Sequence, residues 1–310
     1  MAKRTQYPIH PDFKRWANMN PPLNRAVVPV LQRLMRPLHR LERSTAELSV
    51  ERKNIPVGKG DTVRALLYCP RDIEETAACL VYYHGGGFVL PAAPYHYSLA
   101  REYARRARYK VLFVDYRLAP KYPFPAAPED CYAAYAWVLA NAKELSVDPA
   151  RVAVAGDSAG GQLATVVCLM AKDRGLSMPC GQMLMYPAAG KAETESEKKY
   201  TDTPMCNSRD MEKYGRLYRP DPSVGNNAYA SPIEAESLEG LPPAYIETAE
   251  FDCLRDGGIL YAERLQQFGV SAELNNTEGT IHGFDIVLDS PIVRDCVDRR
   301  IAFLNRIFKS

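Results

Sequence analysis

From about residue 48 to the C-terminus, two kinds of segment alternate along the sequence. Short apolar segments, several of them almost continuously apolar, alternate with longer segments of helical type. Near-continuous apolar runs are typical of strands buried on both faces, and strands that alternate with helices predict a parallel sheet with helices on both faces. The predicted strands are 78–83, 110–115, 151–155, 182–186, 244–248 and 272–275; the predicted helices are 99–108, 128–142, 159–173, 257–268 and 291–308. Segments 48–57 and 62–69 alternate apolar and polar residues, which predicts an antiparallel edge pair.

Two regions interrupt this alternation. Residues 1–47 are rich in proline, and residues 187–230 are polar with interspersed tyrosines. A chain of 310 residues is long enough for one large domain or two small ones. We interpret both regions as excursions that fold over the functional edge of a single sheet, and not as separate domains.

The N-terminal region contains a basic amphipathic stretch from residue 30 to 41. Apolar side chains share one helical face, and Arg33, Arg36 and Arg40 lie opposite. A membrane-surface helix or an organelle targeting peptide has this pattern, and so does a helix that packs on its own protein. We favour packing on the protein; Pro29 and Pro37 limit the stretch to short helical turns.

The composition narrows the class of partner. Lys and Arg number 39 against 37 Asp and Glu, which leaves a net charge of +2 and predicts no nucleic-acid partner. No apolar stretch reaches the length of a membrane span, and the N-terminus has no apolar signal segment, so no stable membrane association is expected. The eight cysteines form no Cys-X-X-Cys pair, so we expect reduced thiols, no metal site and a cytoplasmic setting.

A Gly-X-Ser-X-Gly sequence around Ser158 is the strongest candidate for catalysis. It runs from Gly156 to Gly160, directly after the apolar segment 151–155 and directly before a predicted helix. A sharp strand-to-helix turn projects a serine hydroxyl out of the sheet, and only small neighbours tolerate its backbone angles. The helix N-terminus also stabilises developing negative charge. The alternative is an ordinary glycine-rich turn in which Ser158 caps the helix.

Three successive glycines, Gly85, Gly86 and Gly87, follow His84 and a predicted strand. Such a run leaves backbone N–H groups open to an approaching ligand. A phosphate cradle is one use, but no Lys-Ser/Thr pair follows, so the P-loop pattern fails. We therefore predict that this loop lines an oxyanion hole. His84 is then expected to hold the loop rather than to act as a base.

A nucleophilic serine needs a base and an acid that orients the base. Among the five histidines, His282 lies late in the chain, in a loop just after predicted strand 272–275. Asp252 stands just past predicted strand 244–248, and ligands bind an open parallel sheet at the C-terminal ends of its strands. Asp256 is the nearest competitor for the acid, and its alternative role is to cap the helix that follows.

Taken together, these motifs resemble the α/β-hydrolases of the hormone-sensitive-lipase-like esterase family, also termed bacterial family IV. The resemblance spans residues 80–285 approximately, and the order and joint presence of its motifs are highly specific. The residues that carry it are His84-Gly85-Gly86-Gly87, Asp115-Tyr116-Arg117-Leu118-Ala119-Pro120, Gly156-Asp157-Ser158-Ala159-Gly160-Gly161, Asp252-Cys253-Leu254-Arg255-Asp256 and His282-Gly283-Phe284.

The resemblance implies an α/β-hydrolase fold: a mostly parallel central sheet flanked by helices, with a helical cap. The implied catalytic residues are Ser158, Asp252 and His282, and the implied oxyanion-hole donors are the N–H groups of Gly85, Gly86 and Ala159. Residues 1–47 would form an N-terminal cap region and 48–310 the catalytic domain, with 187–230 contributing to the cap. One departure is Cys253, where the family usually has proline; this exchange would loosen the Asp252 loop without removing a catalytic group.

We therefore expect a serine carboxylesterase that hydrolyses short- to medium-chain acyl esters through an acyl-enzyme, with no metal or organic cofactor. The partner would be a small-molecule ester, and the resemblance also suggests a homodimer. Three alternatives stay open: an amide or formamide hydrolase on the same triad, a non-catalytic ligand-binding homologue, and a lipase that acts at a lipid surface. A covered site predicts a closed pocket of roughly 300–1,000 Å³. Phe88, Tyr95 and Tyr97 would narrow it if they face inward.

Overall fold

The computed structural model describes residues 7–309 except 22, 25, 59, 74, 75, 191, 192 and 226. Within this part of the chain, eight strands form one sheet. The strands are β1 (Leu48–Pro56), β2 (Thr62–Pro70), β3 (Ala77–Tyr83), β4 (Lys110–Asp115), β5 (Val147–Asp157), β6 (Gln182–Met185), β7 (Ala244–Phe251) and β8 (Ala272–Ile281).

The sheet has the spatial order β1-β2-β4-β3-β5-β6-β7-β8. β1 pairs with β2 and β2 with β4 in antiparallel fashion, whereas every later pair is parallel. Both the mostly parallel sheet and the antiparallel edge pair predicted from the sequence are confirmed. Because β3 to β8 run in the same direction, their C-terminal ends meet at one edge of the sheet.

Helices cover both faces of this sheet. The longer ones are α1 (Val27–Met35), α2 (Pro94–Ala107), α3 (Ala126–Ala140), α4 (Ala159–Asp173), α6 (Ser208–Tyr218), α8 (Arg255–Gln267) and α9 (Pro291–Ile307), with short α5 (Glu195–Lys199) and α7 (Asn227–Ala230). α3, α4 and α8 share one hydrophobic core with the sheet, and α2 and α9 share the other. None of the helices in the described residues is long and apolar enough to span a bilayer.

The residues of β3 show how one strand supplies both cores. Successive side chains of a strand point to opposite faces. Val81 and Tyr83 therefore join the core on the α3 and α4 side, whereas Leu80 and Tyr82 join the core on the α2 and α9 side. All four are fully buried. Burial of each such side chain stabilises the fold by about 1.5–3 kcal/mol, which explains why this strand is continuously apolar.

The N-terminal region packs on the body of the protein, as the sequence predicts. α1 is followed by a 3₁₀ helix, Arg36–Leu41. Gln32 Nε2 donates hydrogen bonds to the carbonyls of Val89 and Ala119, both at 2.7 Å. The apolar face of the stretch is nevertheless divided, because Leu31 lines an internal cavity while Leu34 is 71% exposed.

The polar region from 187 to 230 contains short helices, as a helical cap implies, although no individual helix was predicted there from the residue pattern. α6 is polar on average, yet it buries Tyr214, Leu217 and Tyr218 against the core on the α3 and α4 side. Asn207 caps this helix, since its side chain accepts a hydrogen bond from the Asp210 N–H at 3.0 Å. The spacing of the buried residues at i, i+3 and i+4 is the signal that could have identified the helix.

Candidate active site

Ser158 lies in a strained turn between β5 and α4. Its backbone has φ 54° and ψ −120°, a conformation that non-glycine residues rarely adopt. A Cβ built on Gly160 would collide with the carbonyl oxygen of Tyr83, and one built on Gly156 would collide with Gly160. The glycines on either side are therefore required by close backbone contacts, and the turn has the geometry that the Gly-X-Ser-X-Gly sequence predicts.

The structure brings His282 and Asp252 to Ser158. His282 Nε2 lies 2.8 Å from Ser158 Oγ, and His282 Nδ1 lies 2.7 Å from Asp252 Oδ2. The other Asp252 oxygen accepts a hydrogen bond from the Leu254 N–H at 2.9 Å. The three residues directly follow β5, β7 and β8, so the C-terminal edge of the parallel sheet assembles them.

The charge of Asp252 controls the protonation of His282. Burial lowers the pKa of His282, but the charge and hydrogen bond of Asp252, together with the neighbouring Cys206 and Asp157, raise it to about 9. Asp252 is fully buried, whereas Ser158 and His282 keep a small exposed fraction. The arrangement therefore favours transfer of the Ser158 hydroxyl proton to the His282 imidazole.

Asp256, the other candidate for the acid, contacts α5 and not His282. Its Oδ2 accepts a hydrogen bond from the Ser196 N–H at 2.8 Å, at the first turn of α5. The Asp256 N–H is bound in turn by Ser196 Oγ at 3.1 Å. α8 begins at Arg255, before Asp256, so the expected role of this carboxylate as cap of its own helix is corrected: it holds α5 against α8.

Asp157 is the centre of a buried network that supports the glycine loop. Its Oδ1 accepts hydrogen bonds from the hydroxyl of Tyr82 at 2.7 Å and from the N–H of Gly85 at 3.0 Å. Its Oδ2 lies 3.1 Å from His96 Nε2. No sequence motif marks Tyr82 or His96, because their partner Asp157 lies 75 and 61 positions away along the chain.

His84 is fully buried, and its ring is held by stacking and a close polar contact. Its ring stacks on Tyr116 with centroids 4.4 Å apart, and its Nδ1 lies 2.6 Å from the Gly85 carbonyl. Burial, with a smaller contribution from His96, lowers the pKa of His84 to about 4. This neutral, stacked imidazole agrees with the interpretation that His84 holds the loop.

The glycine loop requires one correction. The Gly85 N–H donates to Asp157, so the expectation that it faces an oxyanion does not hold in this structure. Gly86 and Gly87 line the cavity next to Ser158, whereas Gly85 does not. No described residue accepts a hydrogen bond from the N–H of Gly86, Gly87 or Ala159. These three N–H groups are thus the donors that a bound oxyanion could use.

A cavity of about 1170 Å³ opens onto Ser158 and His282. It is somewhat larger than the range expected from a covered site. Residues of both interrupting regions form its walls, including Met19 and Leu31 from the N-terminal region and Met211 and Tyr214 from α6. Phe88 and Tyr95 also face it. Tyr97 instead packs on Phe113 in the core on the α2 and α9 side.

Among the described residues, one group could offer three ligand atoms to a metal ion. Cys206, Asp252 and Cys253 have ligand atoms within 4.8 Å of one another, and all three are buried. Asp252 already contacts His282, so a metal ion in this position would compete with that contact.

Comparison with known proteins gives a consistent result. A family model described as alpha/beta hydrolase fold matches residues 80–286. Carboxylesterase NlhH of Mycobacterium tuberculosis is 37% identical over 266 residues, which cover 84% of this chain and 83% of the relative. Ethyl acetate hydrolase of Pseudomonas putida is 34% identical over 229 residues, with coverages of 73% and 72%. The solved structure of a bacterial heroin esterase superposes with a TM-score of 0.87 at 32% identity, with coverages of 97% and 98%.

The chain therefore belongs to the α/β-hydrolase family. Within that family it is a carboxylic-ester hydrolase of the hormone-sensitive-lipase-like group, which confirms the family resemblance drawn from its motifs.

Proposed function

We propose that this protein is a serine carboxylesterase in which Ser158 is the nucleophile, His282 the general base and Asp252 the orienting acid. The observation that carries the proposal is the continuous chain of contacts from Ser158 Oγ to His282 Nε2 at 2.8 Å and from His282 Nδ1 to Asp252 at 2.7 Å. A nucleophile in contact with a base, which is in contact with a third orienting group, is the geometry of covalent acyl transfer.

The proposed reaction has two steps. Ser158 Oγ attacks the ester carbonyl while His282 takes its proton, and Asp252 holds the imidazole tautomer and stabilises the imidazolium. His282 then returns the proton to the leaving alcohol. In the second step, water activated by His282 attacks the acyl-enzyme, which releases the acid and restores Ser158.

The oxyanion that forms in each step would be bound by backbone N–H groups. We propose Gly86 and Ala159 as two donors, and Gly87 in place of Gly85, whose N–H is occupied by Asp157. Gly86, Gly87 and Ala159 all line the cavity beside Ser158. Ala159 is the first residue of α4, so the helix N-terminus adds to the stabilisation of negative charge.

The division of the chain into a cap and a catalytic domain supports a proposal about substrate size. We assign residues 1–47 and 187–230 to a cap over the catalytic domain 48–310, because Leu31 and Tyr214 line the same cavity as Ser158. A cavity walled by these residues favours short acyl chains with room for the alcohol part. The relative named for ethyl acetate is consistent with a short acyl group.

The test is kcat/KM for p-nitrophenyl esters from acetate to palmitate, with Ser158→Ala as the matched inactive control. We expect a maximum at acyl chains of about two to eight carbons, the scale that such a cavity admits. We expect Ser158→Ala to lose at least about 10⁴-fold in rate while keeping its circular dichroism spectrum. A residual rate within tenfold of wild type would exclude Ser158 as the nucleophile.

One observation favours a second candidate, a lipase that acts at a lipid surface. Val30, Leu34 and Leu41 are 57%, 71% and 67% exposed beside the cavity-lining face of α1. Such a lipase would show its maximum at twelve or more carbons, and only above the solubility limit of the substrate. Matched ester and anilide substrates would separate an esterase from an amide or formamide hydrolase.

A cytoplasmic location and a homodimer remain predictions that rest on the sequence and the family resemblance. Size-exclusion chromatography with light scattering would decide the second of these.

A further inference from the structure

Two thiols lie side by side next to the acid of the proposed triad. Cys206 lies in the loop between α5 and α6, and Cys253 directly follows Asp252. Their sulfur atoms are 3.8 Å apart, which is hydrogen-bond distance for a pair of thiols. The two residues are 47 positions apart in the chain, so only the packing of the cap segment on the acid loop brings them together.

We propose that Cys206 and Cys253 form a peroxide-reactive dithiol, and that its oxidation to a disulfide lowers esterase activity. The effect on activity rests on the proposed role of Asp252. The thiol chemistry itself is independent of that role.

The two thiols differ in access. Cys206 forms part of the wall of the active-site cavity and keeps 3% of its surface exposed, so a small peroxide that enters the cavity can approach it. Cys253 has no exposed surface. The hydrogen bond with Cys206, together with burial, raises the pKa of the Cys253 thiol well above its usual value. Cys206 is therefore the thiol that meets the oxidant, and Cys253 is the resolving thiol.

The chemistry is balanced with hydrogen peroxide as the oxidant. The Cys206 sulfur attacks one peroxide oxygen, the O–O bond breaks, and a sulfenic acid and one water form. The Cys253 sulfur then attacks the Cys206 sulfur, the S–O bond breaks, and a second water leaves with the Cys253 proton. In total the two thiols lose two electrons and two protons, and the peroxide is reduced to two waters.

Oxidation has a mechanical consequence for Asp252. The sulfur atoms must move about 1.8 Å closer to form a bond of about 2.05 Å. Both backbones are anchored, since Thr203 Oγ1 donates to the Cys206 carbonyl at 2.7 Å and Ser196 Oγ to the Cys253 carbonyl at 2.9 Å. Because Cys253 is fully buried and directly follows Asp252, we expect part of the movement to pass to the acid loop against these anchors and to displace Asp252 from His282. A misplacement of about 1 Å can cost about 10²-fold in rate.

The test begins with fully reduced enzyme treated with a small excess of hydrogen peroxide and then with catalase. We expect the free thiols, counted after denaturation, to fall from eight to six per chain. Peptide mapping should recover one cross-linked pair that contains Cys206 and Cys253. Activity on p-nitrophenyl acetate should fall by up to about 10²-fold, and dithiothreitol should restore it.

Three variants localise the effect, each compared with its own reduced form. Cys206→Ala and Cys253→Ala should lose the reversible inhibition. Cys180→Ala is the matched control and should keep it, because Cys180 is more exposed than either thiol yet lies outside the pair. If a variant fails to fold, the peptide map of the wild-type enzyme still decides whether the cross-link forms.

Several outcomes would overturn the proposal. A full count of eight thiols after treatment, or a cross-link between other cysteines, would contradict the dithiol. Inhibition that dithiothreitol does not reverse and that both alanine variants retain would instead indicate oxidation of methionines such as Met205, which also line the cavity. A cross-link that leaves activity unchanged would contradict the link to Asp252. If the reduced enzyme has no esterase activity, the proposed function fails, but thiol count and peptide map remain interpretable.

Discussion

At the residue scale, the chemistry of the site depends on which groups surround each titratable side chain. His84 and His282 are both buried, yet burial lowers the pKa of His84 to about 4 whereas that of His282 is raised to about 9. The difference arises because His282 directly contacts the Asp252 carboxylate and His84 contacts a backbone carbonyl. Only His282 therefore has an environment that favours proton uptake.

The two carboxylates of the acid loop provide a matched pair of variants. Asp252→Asn should reduce kcat by about 10⁴-fold, because the amide favours the wrong tautomer of His282. Asp256→Asn should have a much smaller effect, since Asp256 holds the start of α5 and does not contact His282. Steady-state kinetics of the two purified variants checks this prediction. A larger loss for Asp256→Asn would show that the acid is assigned to the wrong residue.

The pH profile should reflect the raised pKa of His282. The pKa of an ordinary histidine is near 6.5, whereas the pKa of His282 is raised to about 9 against the effect of burial, chiefly by the Asp252 carboxylate with smaller contributions from Cys206 and Asp157. A general base acts in its unprotonated form, so activity should increase with pH and its midpoint should lie above 6.5. kcat/KM from pH 5 to 10, corrected for spontaneous ester hydrolysis, measures this midpoint. A midpoint at or below 6.5 would show that the carboxylate does not control the titrating group.

At the element scale, the position of Ser158 depends on how closely α4 approaches β3. Gly160, in the first turn of α4, leaves no room for a Cβ, which would meet the Tyr83 carbonyl oxygen and lie 2.8 Å from the His84 carbonyl carbon. Both obstacles are backbone atoms, so they cannot move aside as a flexible side chain would. The glycine therefore fixes the distance between the helix that presents Ser158 and the strand that leads into the glycine loop.

Gly160→Ala should destabilise the protein by about 1–3 kcal/mol through overpacking and should also impair activity. The matched control is Gly257→Ala, in the first turn of α8, where a Cβ would lie 3.9 Å from the nearest atom, the Ala189 Cβ. That variant should be neutral or more stable by up to about 1 kcal/mol, since alanine reduces the entropy of the unfolded chain. Urea unfolding monitored by fluorescence compares the two variants with wild type. Equal stabilities would contradict the close-approach interpretation.

At the scale of the whole molecule, a buried ionic cluster joins distant elements beneath the site. Arg300 of α9 has no exposed surface and pairs with Glu247 of β7 and with Asp285, at 3.0 Å from the latter. It also donates to the Tyr103 hydroxyl of α2 at 3.1 Å. Asp285 in turn accepts a hydrogen bond from Tyr186, whose ring lies edge-on to His282 at 5.1 Å. The cluster thus links α9, α2 and β7 to the loop that carries His282.

Arg300→Met should destabilise the fold by about 3–5 kcal/mol, because it leaves two buried carboxylates without their cation. Arg299→Met is the control on the same helix. Arg299 is 57% exposed and forms an exposed i,i+4 ion pair with Asp295, so its loss should change stability by less than about 0.5 kcal/mol. Chemical denaturation of both variants gives the two values. Similar losses in the two would indicate that the buried cluster contributes no more than a surface pair.

The features that depend on neighbouring residues can be predicted from the sequence. The strand, the Gly-X-Ser-X-Gly turn and the helix after Ser158 follow one another within a few positions, so local pattern and backbone sterics predict them. The parallel sheet follows from the repetition of such units. Because strands of one direction end at one edge, the sequence also identified Ser158, Asp252 and His282 as a group that could meet there.

Which individual atoms meet depends on how distant segments pack together in three dimensions. Asp252 and Asp256 are four positions apart, and the packing of β7 beside β8 turns the first toward His282 while α5 binds the second. The N–H of Gly85 is taken by Asp157, 72 positions away. Burial and hydrogen-bond geometry are set by side chains that converge from separate elements, and a pattern within one segment carries no information about partners that arrive from another.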